Sequence, residues 1–391
     1  MKIIIAPDSF KGSLTSSQVC AAIKKGIRKA DENIDIVSIP MADGGEGTVD
    51  ALMNSLGGSK IQVWVKDPLF RRIKAQYGIL EDGKTAVIEM ASASGLALLS
   101  LKERNPMNTT TYGTGELIKD ALDRGCRNFI IGIGGSATND GGIGMAAALG
   151  AKFYDREKNT IELTGSGLLK LDSIDLSQLV PRVKECNFRI FCDVENPLYG
   201  IKGAAYVYGR QKGADDDMIE RLDMGLRRLS EIIERDLGKS VASIPGAGAA
   251  GGLGAGLVAF LNAKLEKGID LLMETIGFEE QIKDADLIIT GEGKMDEQTK
   301  YGKTIFGIIK AAKKQGIPVV GICGSIGDGV EELYTEGLNS VFSIVNRPMP
   351  LWQSIEQTSE LLTSTAENVI RLFLKASKAY PNTRGTTYLP H

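Results

Sequence analysis

Charged and hydroxyl side chains follow several predicted β-strands, at the point where each strand ends. The strands are indicated by apolar runs such as "KIIIAP", "FIIGIG" and "LIIT". The polar residues after such runs are Asp8, Ser9, Lys11, Asp43, Glu46, Ser136, Thr138, Asp140, Asp193, Glu292, Lys294, Asp296 and Ser325. Ligands of open α/β sheets bind beyond the carboxyl ends of the strands, so these residues are the candidates for chemistry.

The candidate set is rich in carboxylates and contains no histidine. The only histidine of the chain is His391, its last residue. Carboxylates can hold Mg²⁺ and accept a hydroxyl proton, while glycine loops and lysines can bind phosphates. Hydride transfer to a hydroxy acid usually needs a His or Tyr acid, and a serine hydrolase needs a base beside its nucleophile. The pattern therefore favours a small-molecule kinase.

Two other classes of protein are kept as alternatives. An NAD-dependent oxidoreductase is the alternative enzyme. A non-catalytic ligand-binding protein is the other, and the many carboxylates argue against it, because they repel one another unless a metal or proton joins them. Thermal stabilisation by Mg-ADP but not by NAD would support the kinase.

A glycine-rich stretch, "FIIGIGGSATNDGGIGMAAALGA" (129–151), is open to two interpretations. Gly132, Gly134 and Ala137 form the pattern G-x-G-x-x-A, and Asp155 follows about 20 residues later, as in a dinucleotide-binding fingerprint. In that fingerprint, however, the helix begins directly after the second glycine, whereas "SATNDGG" intervenes here. A lone match of this kind is a weak signal in a glycine-rich chain.

The second interpretation is a phosphate-binding loop. Successive glycine N–H groups can form an anion-binding concavity, and a helix beginning near Gly141 would add its positive end. No G-x-x-x-x-G-K-[ST] motif occurs, and Asp140 suits helix capping better than metal binding. We predict that the nucleotide-binding residues are Gly134, Gly135, Ser136, Thr138 and, after the first strand, Ser9.

Carboxylates near the strand ends are also expected to bind the metal. We predict that Asp43, Glu292 and Asp296 supply or orient Mg²⁺ ligands. Because Mg²⁺ usually keeps several waters, not all three can be direct ligands. Lys11 is predicted to touch an anion, either a transferring phosphate or the substrate carboxylate; a solvated surface lysine is the alternative.

Deprotonation of a substrate hydroxyl needs an acceptor within hydrogen-bond reach. A neutral lysine would have to be strongly desolvated, so a carboxylate is expected. Asp193 is the first choice, because the apolar strand "FRIFCDV" and the following "NPL" could exclude water. Asp8 is the second choice, and a helix cap is the alternative role for either.

The elements that position these residues alternate between strand-like and helical patterns. The strand-like runs are nearly continuous in Ile and Val, as in parallel strands covered on both faces. Helical faces recur at Val19, Ile23 and Ile27, and from Met218 to Leu237. The chain is therefore predicted to be α/β, with mostly parallel sheets.

We predict two domains and a tail. A doubly wound, flavodoxin- or Rossmann-like domain is expected from both chain ends, 1–60 and 280–375. A second α/β domain, 61–279, is inserted and contains a hairpin in "IQVWVKDPLFRRIKAQYGIL". Residues 376–391 lack apolar periodicity and are predicted to be a loose tail.

Composition limits the partners and the compartment. The 391 residues include 46 Lys and Arg against 49 Asp and Glu, so there is no global field to attract nucleic acid or anionic lipid. No apolar run reaches the roughly 20 residues that span a bilayer. Five scattered cysteines without a C-x-x-C pair indicate reduced thiols of a cytosolic protein. A homo-oligomer remains open.

Eight ordered motifs resemble those of the bacterial type I glycerate kinases. They are "IAPDSFKGSLTS", "PMADGGEGT", "IEMASASGL", "TTYGTGELI", "IGIGGSATNDGGIGM", "CDVENPL", "PGAGAAGGLG" and "ITGEGKMDEQT". The resemblance runs from residue 1 to about residue 370 and implies a two-domain α/β fold. It also implies ATP-dependent, Mg²⁺-requiring phosphorylation of D-glycerate in the cytoplasm, with 2-phosphoglycerate as the favoured product.

Two positions depart from the family pattern. The chain has "YGRQKGA" where such proteins typically have "FGPQKGA", so Arg210 replaces a proline. Lys294 stands where arginine is common. Arginine and lysine differ in carboxylate geometry, so this second departure bears on substrate affinity.

Overall fold

The computed structural model describes residues 1–42, 47–300 and 304–379. The chain divides into two compact units. Unit 1 consists of Met1–Met41 and the chain from Gly277 onward, and unit 2 consists of Ala42–Ile276.

The helices and strands follow one another in chain order. Unit 1 begins with β1 (Lys2–Ile5), α1 (Ser16–Ala30) and β2 (Asp35–Ser38). Unit 2 contains α2 (Thr48–Leu56), β3 (Gly58–Lys66), β4 (Arg72–Leu80), β5 (Thr85–Glu89), α3 (Ala91–Ser94), α4 (Tyr112–Asp123), β6 (Asn128–Gly132), α5 (Ile143–Ala148), β7 (Lys152–Tyr154), β8 (Ser173–Asp175), β9 (Asn187–Phe191), α6 (Ala204–Tyr208), α7 (Asp216–Leu237), α8 (Ala249–Leu261), β10 (Lys264–Glu266) and α9 (Gly268–Ile276). Unit 1 resumes with α10 (Phe278–Gln281), β11 (Leu287–Met295), α11 (Thr304–Lys314), β12 (Val319–Ile326), α12 (Glu332–Glu336), β13 (Ser340–Ser343), α13 (Leu351–Glu356) and α14 (Thr358–Ala379).

Unit 1 is built on a parallel sheet whose strands lie in the order β13-β12-β11-β1-β2. Counted within the unit, this is the flavodoxin-like order 2-1-3-4-5. The order reverses between β1 and β11, and ligands of such sheets bind at the carboxyl edge of this switch point. The topology therefore directs attention to the ends of β1 and β11.

The core of unit 1 forms where α1 and α14 cover the sheet. Helix α1 begins at a capping box between Thr15 and Gln18, and its predicted apolar face is buried. The two helices pack closely at Gly26, where an added Cβ would lie 2.3 Å from the carbonyl oxygen of Thr363. A larger residue at Gly26 would push the helices apart.

Unit 2 has a mixed sheet in the order β10-β9-β6-β5-β4-β3. Strands β10, β9, β6 and β5 are parallel, and β3 and β4 form the predicted antiparallel hairpin. Residues from α4, α5 and α8 share one core cluster with these strands. The α/β class with mostly parallel sheets is thus confirmed.

Domain boundaries in the structure differ from the predicted ones. The first division falls at 41/42 rather than 60/61, because α2 packs against β4 and β5 of unit 2. The second falls at 276/277 rather than 279/280.

The predicted start of the tail, at residue 376, is too early. Helix α14 continues to Ala379, since no helix breaker occurs before Pro381. Residues 380–391 lie outside the described part of the chain. Within that part, no helix combines the length and the apolar character needed to cross a membrane.

Candidate active site

The carboxyl edge of unit 1 brings Asp8 close to Glu292. Asp8 follows β1, and its backbone N–H donates to the carbonyl oxygen of Gly291 at 2.8 Å. Glu292 lies on β11, beyond Ile289, the last residue of that strand to pair with β1. Both acidic residues are half-buried. They therefore occupy the switch point of the sheet, as the strand-end argument expects.

Glu292 has an unusual protonation equilibrium. Burial is the main cause that raises the pKa of Glu292 to about 7, and repulsion from Asp8 and Asp296 contributes. A hydrogen bond from Thr299 Oγ1 at 2.7 Å and the charge of Lys11 act in the opposite direction. A carboxylate with a pKa near neutrality at such an edge is a candidate for function.

The side chain of Asp296 is engaged by its neighbours. Lys294 Nζ lies 2.6 Å from Asp296 Oδ2, and the backbone N–H of Gln298 donates to Oδ1 at 2.9 Å. The hydrogen bond from Lys294 is the main cause that lowers the pKa of Asp296. The lysine that departs from the family pattern therefore binds a carboxylate here.

Of the three residues predicted to form the metal site, only Glu292 and Asp296 lie among the described residues. Asp43 lies outside the described residues. Within residues 1–42, 47–300 and 304–379, no group of three His, Cys, Asp or Glu side chains is placed to hold a metal. The grouping of Asp43 with Glu292 and Asp296 stays a prediction.

The other predicted residues of this edge follow β1. The backbone N–H of Ser9 donates to Asp8 Oδ1 at 2.6 Å, which fixes the turn after the strand. Lys11 is exposed, and it is near enough to Glu292 to lower the pKa of that carboxyl. Its exposure leaves the ammonium group accessible to an anion.

Unit 2 presents the glycine loop at the carboxyl end of β6. Gly134 and Gly135 are exposed, whereas Ser136 and Thr138 are buried. Gly135 has a φ of +72°, a conformation that glycine adopts without strain. Within the described part of the chain, the backbone N–H groups of Gly134 and Gly135 donate to no protein acceptor. These two donors are available to an anion.

Asp140 has a structural role in the loop. Its Oδ2 accepts hydrogen bonds from the backbone N–H and the hydroxyl of Thr111, both at 2.8 Å. The carboxylate also accepts from the N–H groups of Gly142 and Gly144, at the start of α5. Burial raises the pKa of Asp140, and these hydrogen bonds oppose the rise. Asp140 therefore accepts hydrogen bonds from the start of α5, of which Gly142 is the N-cap residue, and this agrees with the capping role rather than with metal binding.

One part of the phosphate interpretation is corrected by this cap. The interpretation used the positive end of a helix beginning near Gly141. In the structure α5 begins at Ile143, has 6 residues, and has its first N–H groups occupied by Asp140. The N–H groups at the start of α5 are therefore not available to an anion at this loop.

Asp193 lies after β9, the neighbour of β6 in the sheet. Its Oδ1 accepts a hydrogen bond at 2.9 Å from the backbone N–H of Gly268, the first residue of α9. The capping role that was the alternative for Asp193 is thus present. Its role as a base stays a prediction.

The dinucleotide interpretation lacks its structural context. Asp155 follows β7, and β7 pairs in antiparallel fashion with β8 in a separate ribbon. A dinucleotide fingerprint requires the next strand to lie parallel in the same sheet as β6. The G-x-G-x-x-A match is therefore a coincidence of glycine content.

The sequence model of the glycerate kinase family matches residues 3–374, nearly the whole chain. The chain belongs to this family. It is 51% identical to a glycerate kinase of Halalkalibacterium halodurans, over 94% of this chain and 97% of the relative. It is 48% identical to the glycerate 2-kinase of Escherichia coli, over 95% and 96% of the two chains.

A solved structure supports the glycerate kinase assignment at the level of the fold. The structure is assigned as glycerate kinase 2 of Salmonella typhimurium LT2 and has a TM-score of 0.87 and 46% sequence identity. The match covers 97% of this chain and 100% of the other. Membership of a kinase family makes the chain a phosphotransferase and implies ATP as its co-substrate and glycerate as its acceptor.

Sequence reasoning missed one residue of this glycerate kinase that the structure places beside the glycine loop. Lys212 is buried, and its Nζ donates to Ser136 Oγ at 2.8 Å and to the carbonyl oxygen of Thr138 at 2.7 Å. Burial is the main cause that lowers the pKa of Lys212 to about 7. Its signal in the sequence is its place in "YGRQKGA", 76 residues from its partner Ser136.

Proposed function

We propose that this chain transfers the γ-phosphoryl group of ATP to the 2-hydroxyl of D-glycerate, giving ADP and 2-phosphoglycerate. The observation that carries the proposal is the match to glycerate kinases over nearly the whole chain, including a relative named glycerate 2-kinase. Phosphoryl transfer needs mainly positioning and charge stabilisation, and both units offer suitable groups at the carboxyl edges of their sheets.

We propose that the edge of unit 1 handles Mg²⁺ and an anion. The oxygen-rich donor set fits Mg²⁺, and a cation beside Glu292 would favour its charged form against the burial and the repulsion by Asp8 and Asp296 that raise its pKa. Mg²⁺, when bound, neutralises charge on the phosphates. Glu292 and Asp296, with Asp43, are the candidate ligands or ligand-orienting groups. Lys11 is proposed to contact the transferring phosphate or the glycerate carboxylate.

In unit 2, the glycine loop is proposed to contact nucleotide phosphate. The available N–H groups of Gly134 and Gly135 support this role, because adjacent backbone donors favour an anion. Ser136 and Thr138 would add hydroxyl groups. Ser9, in unit 1, is proposed as a further nucleotide contact.

Asp193 is proposed as the acceptor of the glycerate hydroxyl proton, with Asp8 as the second choice. The hydrogen bond from Gly268 holds the Asp193 carboxylate in a fixed orientation, which a positioned base needs. In phosphoryl transfer the base makes a modest contribution, because the attacking hydroxyl is mainly positioned.

The proposal is tested by incubating the purified chain with Mg-ATP and D-glycerate and following the product by ³¹P and ¹³C NMR. We expect ADP and a phosphate ester on C2. L-glycerate is the stereochemical control, and NAD with D-glycerate tests for the alternative enzyme class. A product phosphorylated on C3 would refute the regiochemistry, and NAD reduction without ATP use would refute the kinase.

A further inference from the structure

Lys212 is a buried basic residue to which the proposed reaction assigns no role. It ends the 3₁₀ turn Arg210–Lys212 and is 2% exposed. Both hydrogen bonds from its Nζ go to the glycine loop, one to Ser136 Oγ and one to the carbonyl oxygen of Thr138. A change in the charge of this amine therefore directly affects the two hydrogen bonds that it donates to the loop.

The charge of Lys212 has no partner in direct contact. Within the described part of the chain, no carboxylate lies within ion-pair distance of its Nζ. Asp140 attracts the ammonium from further away, but the oxygens of Asp140 are occupied by Thr111 and by the start of α5. Arg104 also packs against this segment, and its backbone carbonyl lies against Gly213. Burial therefore favours the neutral amine.

The loop beside Lys212 also holds buried polar atoms without partners. Thr138 Oγ1 and both amide atoms of Asn139 have no hydrogen-bond partner among the described residues, although both residues are fully buried. Buried polar groups are nearly always hydrogen-bonded, so an unpaired cluster points to a polar ligand. When Lys212 donates to Ser136 Oγ, the Ser136 hydroxyl proton is directed elsewhere, toward an acceptor such as a phosphoryl oxygen.

We propose that Lys212 is a positioning residue that takes up a proton from solvent when a phosphoryl group binds the Gly134–Ser136 loop. Ser136 then lies between the ammonium and the anion, accepting from one and donating to the other. This inference rests on the proposed function, because it takes the loop as the phosphate site. A bound anion favours the charged amine, and the same coupling makes the anion bind more tightly to the protonated protein.

Calorimetry of Mg-ADP binding measures this coupling directly. Titrations of the full chain at pH 7.5, in two buffers with different ionisation enthalpies, give the number of protons taken up. With a pKa of about 7 for Lys212, about three quarters of these amines are neutral at this pH, so we expect Lys212 to contribute an uptake of roughly 0.7 proton. This contribution is measured as the difference between the wild type and Lys212→Met, because Mg²⁺ binding near Glu292 would release part of a proton in both proteins. Between pH 7 and 9 we expect the affinity to fall by up to about tenfold per pH unit.

Two variants identify the group responsible. Lys212→Met has a similar volume and no charge, and we expect weaker Mg-ADP binding without this contribution to proton uptake. Lys239→Met is the control, because Lys239 is a partly buried lysine whose pKa is also lowered by burial and whose Nζ donates to the carbonyls of Val258 and Ala259. We expect Lys239→Met to take up the same number of protons as the wild type.

The results that would overturn the inference are distinct from those that would refute the function. Mg-ADP binding with equal proton uptake in the wild type and Lys212→Met overturns the inference alone. Should Lys212→Met fail to fold, Ser136→Ala replaces it, and undiminished proton uptake in that variant overturns the inference. Absence of both Mg-ADP binding and glycerate phosphorylation refutes the proposed function and, with it, the inference.

Discussion

Replacing Glu292 by Gln tests the electrostatics of the unit 1 edge. The pKa of Glu292 is about 7, against 4.5 for an ordinary glutamate, so the folded protein keeps a proton that the unfolded chain loses between these pH values. The free energy of unfolding therefore falls as the pH rises from 4.5 to 7, and it stays lowered above pH 7. The difference in pKa corresponds to about 3 kcal/mol at most.

Glutamine removes the titration but keeps the shape of the side chain. Its amide oxygen can still accept the hydrogen bond that Thr299 gives to Glu292. We expect Glu292→Gln to have a free energy of unfolding up to about 3 kcal/mol higher than the wild type at pH 8, and nearly equal at pH 4.5. The measurement is urea unfolding followed by circular dichroism at both pH values, with EDTA present.

Glu297→Gln is the matched control for this experiment. Glu297 is exposed and lies five residues further along the same segment, so its replacement should change stability little at either pH. If Glu292→Gln and the wild type differed by the same amount at both pH values, Glu292 would not be the titrating group. The effect of Mg²⁺ is measured separately at pH 8. If Glu292 is a metal ligand, added Mg²⁺ should stabilise the wild type more than Glu292→Gln.

Three further predictions concern the other proposed site residues. Lys11→Ala should lower kcat/KM by about 10²-fold or more, about 3 kcal/mol, if the ammonium acts in the transition state, and a loss below about threefold in steady-state assays would make it a surface lysine. Gly134→Val should weaken Mg-ADP binding in calorimetry without changing the melting temperature. Normal binding by this variant would show that the loop has only a packing role. Gly135 is less suitable for the test, since its φ of +72° would strain valine. Asp193→Asn should lower kcat more than it raises the KM for ATP, whereas deletion of 380–391 should leave kcat unchanged. A fully active Asp193→Asn, together with loss of turnover on deletion of 380–391, would refute the carboxylate base.

Much of the fold could be predicted because local patterns determine it. The predicted strand runs around Ile3, Phe129 and Leu287 all lie in β-strands, and the face formed by Val19 and Ile23 is buried in α1. The periodicity of apolar residues and the Ile- and Val-rich composition of strands both reflect burial. Such patterns are informative in an α/β fold because neighbouring layers bury its strands and one face of its helices. The antiparallel hairpin β3–β4 was predictable for the same reason, since its two strands are adjacent in the sequence.

The site could be predicted less completely because its contacts are between distant residues. The hydrogen bond that joins Lys212 to Ser136 spans 76 residues, and the one that joins Asp193 to Gly268 spans 75. Position after a strand identifies a residue at the correct edge, but it does not reveal which side chain or helix end will be its partner. The first domain boundary was misplaced for a similar reason, since only tertiary packing assigns α2 to unit 2.

Carboxylates at strand ends fall into two physical classes in this protein. Asp140 and Asp193 accept backbone N–H groups at the starts of helices, and these hydrogen bonds favour the charged carboxylate, although burial outweighs them at Asp140 and raises its pKa. Glu292 instead lies near Asp8 and is partly buried, so its charge costs free energy in the folded protein. A carboxylate that destabilises the fold has a physical reason to be present only if the working state neutralises it, by a cation or by a proton. If Asp193→Asn retains activity, the acceptor of the substrate proton should therefore be sought next at the pair Asp8 and Glu292.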